Sequence, residues 1–159
     1  MKITFIVVGK LKEKYVEMAV SEYAKRLSKY AAFKIIEVAD EKAAENLSYG
    51  EEQIILSKEG ERILKSIKDN GYVIATAISG EQLESTGLAE KMAKLAVDGY
   101  SHIYFIIGGS LGLSKEVIQR ADFCLSFSKM TFPHQLMRVM LAEQVYRAFR
   151  INNNEPYHK

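Results

Sequence analysis

Residues 125–150 read LSFSKMTFPHQLMRVMLAEQVYRAFR, and this stretch predicts how the domain is closed. Its first part is short, apolar and rich in hydroxyl groups, as expected of a strand followed by a turn. Pro133 marks the start of a helix, because proline suits the first helical position, where no backbone N–H is needed. Thr131 is placed to help cap that helix. A wide apolar face then recurs at i+4 spacing: Met137, Leu141, Val145 and Phe149.

Upstream of this stretch, apolar runs and amphipathic runs alternate from the first residues onward. The apolar runs predict strands at Lys2–Val8, Phe33–Val38, Tyr72–Ile78, His102–Ile107 and Asp122–Ser126. Helical spacing predicts helices at Lys12–Lys29, Glu52–Lys68, Leu88–Val97 and Ser114–Arg120. The segment Asp40–Gly50 lacks a clear period and is expected to be a loop or a short helix. The alternation predicts an α/β fold with a mostly parallel sheet, helices on both faces, and a single domain over residues 1–159.

Composition narrows the class of protein. The 159 residues are 48% hydrophobic and 26% charged, which is typical of a globular domain. No apolar run is long enough to cross a bilayer, and the run Ile3–Val8 is too short for a signal peptide, so no membrane role is expected. The single cysteine, Cys124, excludes an intramolecular disulfide, which makes the cytoplasm the default location. The net charge is +2, with basic ends and an acidic middle. Solvated helix faces explain that pattern as simply as a phosphate-binding patch does.

Three loops are candidates for a ligand site, because ligands of parallel sheets bind outside the carboxyl ends of the strands. They are Thr76–Gly80, Gly108–Gly112 and Ser126–Phe132. All three consist mainly of small, hydroxyl and apolar residues, which suits a ligand such as an adenosine, held by backbone groups and apolar contact. They suit a triphosphate with magnesium poorly, and neither glycine-rich phosphate-binding fingerprint is present.

Conventional catalytic and metal-binding sets are missing. Cys124 falls inside a predicted strand, where a core role is expected rather than a nucleophilic one. The histidines His102, His134 and His158 lack metal-ligand spacing, so no metal site is predicted. His102 opens a strand and is expected to be structural. His134 lies beside the candidate site, where structural and functional roles are equally open.

Four motifs taken together are more specific than any one of them. They are Gly108-Gly-Ser-Leu-Gly-Leu113, Leu125-Ser-x-Ser-Lys-Met-Thr-Phe-Pro-His134, Arg138-x-x-Leu-x-Glu-Gln-x-Tyr-Arg147 and Pro156-Tyr-His158. Over essentially the whole chain, this set resembles the ribosomal large-subunit pseudouridine N3-methyltransferase family (RlmH) of the SPOUT class. The loop after the third strand departs from that family's pattern. An acidic residue is often found there, and residues 76–80 contain none, so a role for such an acid is not carried over.

The resemblance implies a trefoil knot in the C-terminal half, which sequence periodicity does not reveal. It implies an enzyme that uses S-adenosyl-L-methionine (SAM) as methyl donor and acts as a homodimer. The implied substrate is N3 of a pseudouridine in 23S rRNA of the assembled ribosome. By carry-over, the cofactor should contact Thr76, Gly108, Phe127, Ser128, Lys129, Met130, Thr131 and Phe132, largely through backbone groups.

The same resemblance implies that the C-terminal tail reaches the partner's pocket. His158 is then the favoured base for the N3 proton, with Tyr157 placing it, and His134 is the other candidate. Arg138 is expected to contact phosphate or to stabilise a negative uracil ring. Its alternative is a solvated helix face beside Glu143.

Two further expectations concern RNA and competing functions. The basic residues of the first long helix, together with Lys129, are expected to contact the RNA backbone. They are Lys12, Lys14, Lys25, Arg26 and Lys29. The competing hypotheses are a non-catalytic ribosome- or RNA-binding dimer of the same fold, and a flavodoxin-like nucleotide-binding protein with the same order of elements.

Overall fold

The computed structural model describes residues 1–159 and alternates five strands with five helices. The strands are β1 (Lys2–Val8), β2 (Ala32–Val38), β3 (Tyr72–Gln82), β4 (His102–Ile107) and β5 (Phe123–Ser126). The helices are α1 (Lys14–Leu27), α2 (Tyr49–Ser66), α3 (Ser85–Val97), α4 (Lys115–Arg120) and α5 (His134–Asn152). The predicted α/β class is confirmed.

All five strands form one parallel sheet in the order β2-β1-β4-β3-β5. The central strands are unbroken apolar runs because both faces of the sheet are covered. On one face Phe5 joins a core with residues of α1, α3 and α5. On the other, Ile6 packs with Ile63 of α2 and Val117 of α4. Helices therefore lie on both faces, as predicted.

Helix α2 begins at Tyr49, three residues before the predicted start at Glu52. The reason is a capping box. The Ser48 side chain accepts a hydrogen bond from the Glu51 amide, and the Glu51 carboxylate accepts one from the Ser48 amide. The preceding segment, residues 39–48, forms neither helix nor strand. It is a loop, one of the two predicted alternatives.

Strand β3 does not end at Ile78, which corrects the predicted break at Ser79-Gly80. The strand runs on to Gln82, and its register against β5 shifts between Thr76 and Glu81. Gly80 makes this possible, because a Cβ there would lie only 2.6 Å from the Cys124 carbonyl oxygen. Residues 77–80, between the two paired parts, have no register partner on β5.

Helix α5 also begins differently from the prediction. Pro133 is the N-cap residue with extended backbone, and the first helical residue is His134. No side chain caps this end, so the expected contribution of Thr131 is absent. The helix packs against α1 and α3 and buries Leu141 and Val145. Its first turn lies beside the end of β1, where the Lys12 amide donates to Gln135.

His102 is structural, as expected. Its ring is buried at the amino end of β4, 2.8 Å from the Thr4 hydroxyl and 2.7 Å from a carboxylate oxygen of Asp69. This hydrogen-bonded carboxylate is stabilised by His102, which lowers the pKa of Asp69. None of the helices combines the length and apolarity that crossing a membrane requires.

Candidate functional site

A cavity of about 940 Å³ lies at the carboxyl ends of β3, β4 and β5. Residues of the three segments predicted as loops form its walls, together with the first turn of α5, although the first of these segments belongs to β3. Seven of the eight predicted cofactor residues line it: Thr76, Gly108, Phe127, Ser128, Met130, Thr131 and Phe132. The eighth, Lys129, does not.

The glycine turn after β4 is one wall of the cavity. Gly112 has a φ of +87°, which a residue with a side chain adopts only with strain. Its amide donates to the Gly109 carbonyl at 3.1 Å and closes the turn. A Cβ on Gly108 would run into the Gly112 carbonyl group, so the tight turn requires glycine there. Small residues thus bring bare backbone to the cavity surface.

The loop after β5 is the opposite wall and is held by its own hydroxyl groups. The Ser126 hydroxyl donates to the Ser128 carbonyl at 3.1 Å, and the Met130 amide donates to the Ser128 hydroxyl at 3.0 Å. These bonds hold the loop across the cavity, where Met130 remains 71% exposed. An exposed apolar side chain at the rim is available to cover an apolar ligand surface.

The irregular part of β3, predicted as a loop, contributes backbone and apolar groups. The Thr76 hydroxyl donates to the Ile106 carbonyl at 2.9 Å, so it already has a partner within the sheet. Ala77, Ile78 and Ser79 also line the cavity. No carboxylate takes part, in agreement with the departure noted in the sequence.

His134 is the only titratable side chain that lines the cavity. Burial lowers its pKa, and the positive charge of Arg138 adds to that effect, while Asp40 acts in the opposite direction. A lowered pKa keeps the imidazole neutral at physiological pH, so one ring nitrogen can accept a proton.

Arg138 does not occupy the cavity-facing position expected from the sequence. Its side chain is only 1% exposed and does not line the cavity. The guanidinium donates to Glu37 at 2.9 Å and to the carbonyls of Val8 and Gly9 at 3.1 and 2.8 Å. The solvated-face alternative is wrong, and in this chain the group is positioned to hold the end of β1 rather than to meet a phosphate.

The C-terminal tail folds back on α5, away from the cavity of its own chain. Tyr157 donates to Glu143 at 3.1 Å, and Glu143 also pairs with Arg147 at 2.7 Å. Burial and the Glu143 contact raise the pKa of Tyr157 to about 12, so the phenol keeps its proton. His158 Nδ1 lies 3.3 Å from an Arg147 guanidinium nitrogen. Because arginine only donates, this contact places the proton of a neutral His158 on Nε2.

Sequence reasoning missed one buried acid near the cavity, Glu59 of α2, which is 5% exposed. Its only signal was its place on the apolar side of α2, four residues before Ile63. Cys124 lies within β5, as predicted, and is partly buried. No group of three or more histidine, cysteine or acidic side chains is arranged to hold a metal ion.

Comparison with known proteins adds sequence and fold relatives. The sequence pattern described as "Predicted SPOUT methyltransferase" matches residues 1–158. Relatives named ribosomal RNA large subunit methyltransferase H are 62% identical in Clostridioides difficile (strain 630) and 60% identical in Alkaliphilus oremlandii (strain OhILAs). Each alignment covers all of both chains.

Solved structures with low sequence identity share the fold. A probable methylase family protein from Haemophilus influenzae Rd KW20 is 14% identical, with a TM-score of 0.54 over 99% of this chain and 70% of its own. A Legionella pneumophila protein solved with the bound cofactor SAM is 12% identical, with a TM-score of 0.50 over 93% of this chain and 66% of its own. The full-length matches at high identity show that this chain belongs to the ribosomal RNA large subunit methyltransferase H family, within the SPOUT methyltransferases.

Proposed function

We propose that this protein transfers a methyl group from SAM to N3 of a pseudouridine in 23S rRNA of the assembled ribosome. The observation that carries the proposal is the glycine-walled cavity, which lies in a chain 62% identical to a named ribosomal RNA large subunit methyltransferase. Ribosomes are its substrate, so we also propose a cytoplasmic location.

The cavity residues fit the proposed cofactor. A volume of about 940 Å³ lies within the range of small-molecule sites and accommodates a nucleoside with an amino-acid side arm. Bare backbone at Gly108 and the loop after β5 offers amide and carbonyl partners, and Phe127 and Met130 offer apolar surface. When bound, SAM supplies an electrophilic methyl group on a sulfonium. The chain's own task is then mainly to orient the attacking nitrogen.

The N3 proton needs an acceptor. We propose His158 from the tail of a second copy as the base, with Tyr157 as a donor that places it. Since Arg147 occupies Nδ1 of His158 in this conformation, the ring must release that contact before Nδ1 can accept a proton. His134, neutral at the cavity wall, is the second candidate. Both assignments are open to the same pH–rate measurement.

A homodimer is part of the proposal because the tail does not line the cavity of its own chain. The exposed apolar side chains Tyr15 and Met18 on α1, which packs against α5, are available to a second copy. Sedimentation equilibrium tests this directly. A monomer at micromolar concentration would contradict it.

We further propose that residues 1–159 form one domain whose C-terminal part is knotted. The support is the chain's path: β5 lies at the sheet edge beside β3, yet α5 begins next to the end of β1. The connecting segment therefore crosses the carboxyl edge of the sheet. An experimental chain trace that straightens completely when its ends are pulled apart would contradict the knot.

The decisive experiment is methyl transfer from radiolabelled SAM to 70S ribosomes, separate subunits and isolated 23S rRNA. We expect label on 70S particles. pH–rate profiles of His158→Ala and His134→Ala then identify the base. The rate of the wild type should rise with pH as the base loses its proton, and the variant without the base should lose that rise. SAM binding by calorimetry without transfer to any particle would favour the non-catalytic RNA-binding dimer instead.

A further inference from the structure

Glu59 is the buried acid that the proposed mechanism leaves unused, and it lies behind the glycine wall of the cavity. A Cβ placed on Gly109 would be 3.4 Å from a Glu59 carboxylate oxygen and 3.2 Å from Val8. The Glu59 carboxylate therefore lies close to Gly109, although Glu59 itself does not line the cavity. The other carboxylate oxygen accepts a hydrogen bond from the Glu41 amide at 3.0 Å.

The same turn of α2 also secures the loop after β2. Arg62 donates to the Ala39 carbonyl at 2.8 Å and pairs with the Glu41 side chain. Together with the Glu59 contact, these bonds attach residues 39–41 to the helix. Asp40 lies within this attached segment and influences His134 at the cavity wall.

The neighbouring residue shows how closely α2 approaches the cavity wall. Gly60 is buried, and a Cβ there would collide with the Ser114 side chain. Ser114 is the N-cap of α4, the helix that follows the glycine turn. Residues 59 and 60 thus lie close to the glycine turn and to the start of α4. Residues 59 and 62 hold the loop after β2 by hydrogen bonds.

We propose that Glu59 is a positioning residue that keeps the glycine turn and residues 39–41 in a preformed arrangement for the cofactor. It acts through Gly109 and Glu41 and does not touch the ligand. The inference rests on the proposed function, because it takes the cavity as a SAM site.

The test compares Glu59→Ala, Glu59→Gln and, as matched control, Glu61→Ala, which removes an exposed acid from the same helix. For Glu59→Ala we expect the Kd for SAM to rise at least about tenfold. Hydrogen exchange should quicken in peptides covering 39–47 and 108–113 but not in β1. Glu59→Gln keeps an acceptor for the Glu41 amide and should recover most of the affinity, while Glu61→Ala should show neither change.

A Glu59→Ala protein that binds SAM like Glu61→Ala and exchanges like wild type would overturn the inference. If Glu59→Ala does not fold, Glu59→Asp carries the same test, because the shorter side chain cannot reach both neighbours at once. If the wild type itself fails to bind SAM, the proposed function fails. The exchange data still decide whether Glu59 couples the two segments.

Discussion

At the scale of single residues, the burial of Glu59 makes the stability of the folded protein depend on pH. Burial raises its pKa above the ordinary glutamate value. A raised pKa means that the folded protein holds the proton more tightly than the unfolded chain. The contribution of protonated Glu59 to the free energy of unfolding is fully present below the pKa that Glu59 has in the unfolded chain. It is lost as pH rises through the pKa that Glu59 has in the folded protein.

We therefore expect Glu59→Gln to gain stability relative to wild type as pH rises from about 4 to about 7, because the amide never acquires the buried charge. Urea unfolding at both pH values measures the difference. If the advantage of Glu59→Gln in unfolding free energy stays constant or narrows towards neutral pH, the surroundings of Glu59 stabilise its charged carboxylate sufficiently, and the expectation is wrong.

Arg138 supports a second prediction at this scale. Replacing it by Met should destabilise the fold by about 3 kcal/mol, because the change leaves two buried carbonyls and the Glu37 carboxylate without their donor. Glu37→Gln keeps an acceptor and should cost far less. Equal losses in urea unfolding for the two variants would contradict this account of the buried guanidinium.

At the scale of elements, the glycine turn and the start of α2 offer a matched pair of glycines. Gly108→Ala should abolish measurable SAM binding, because a Cβ would push the Gly112 carbonyl out of the turn. Gly50→Ala, in the first turn of α2, has no atom within 4 Å of the added Cβ. It should leave binding intact and stabilise the protein by about 0.5 kcal/mol.

Calorimetric titration with SAM and thermal unfolding compare the two variants. If Gly108→Ala binds SAM with wild-type affinity, the turn is not the rigid wall described above. If Gly50→Ala also weakens binding, a general loss of stability, rather than the shape of the turn, explains the effect.

Elements defined by local pattern were predictable, and those defined by distant contacts were not. Strand β4 has the predicted bounds, since an unbroken apolar run ending at Gly108 has few alternatives. The late part of β3 escaped prediction because Ser79-Gly80 normally signals a turn, and only pairing with β5 overrides that signal. Ser48 and Glu51 carry the sequence signal of a capping box, so the start of α2 at Tyr49 is readable from local sequence.

The candidate site divides in the same way. The place of its three wall segments was predictable because parallel strands place their carboxyl ends at one edge, although residues 76–80 belong to β3 and not to a loop. The burial of Arg138 was not, because it depends on Glu37, which lies 101 residues earlier in the chain. Glu59 was invisible for a similar reason: its neighbours Gly109 and Glu41 belong to two other segments.

At the scale of the whole molecule, the proposed active site needs two chains. Co-expression of a cavity-deficient chain (Gly108→Ala) with a tail-deficient chain (His158→Ala) tests this. Random pairing makes half of the dimers mixed, and each mixed dimer has one complete site out of two, so we expect about a quarter of wild-type methyl transfer. Each variant alone should be inactive.

Purification through two different affinity tags isolates the mixed dimers for that assay. Activity absent from the purified mixed dimers would mean that the tail serves the cavity of its own chain after rearrangement. Activity present in the Gly108→Ala homodimer would mean that the glycine turn is dispensable. Either result would contradict the proposal that one chain supplies the cavity and its partner supplies the tail.

The uncharged lining of the cavity has a consequence for turnover. No carboxylate lines the cavity, so electrostatic attraction from its walls does little to favour the sulfonium of the methyl donor over the uncharged thioether of its demethylated product. The two should compete on nearly equal terms for the same backbone and apolar contacts. We therefore expect strong inhibition by the demethylated product. The rate of ribosome modification would then follow the ratio of donor to product in the cell more closely than it follows the donor concentration.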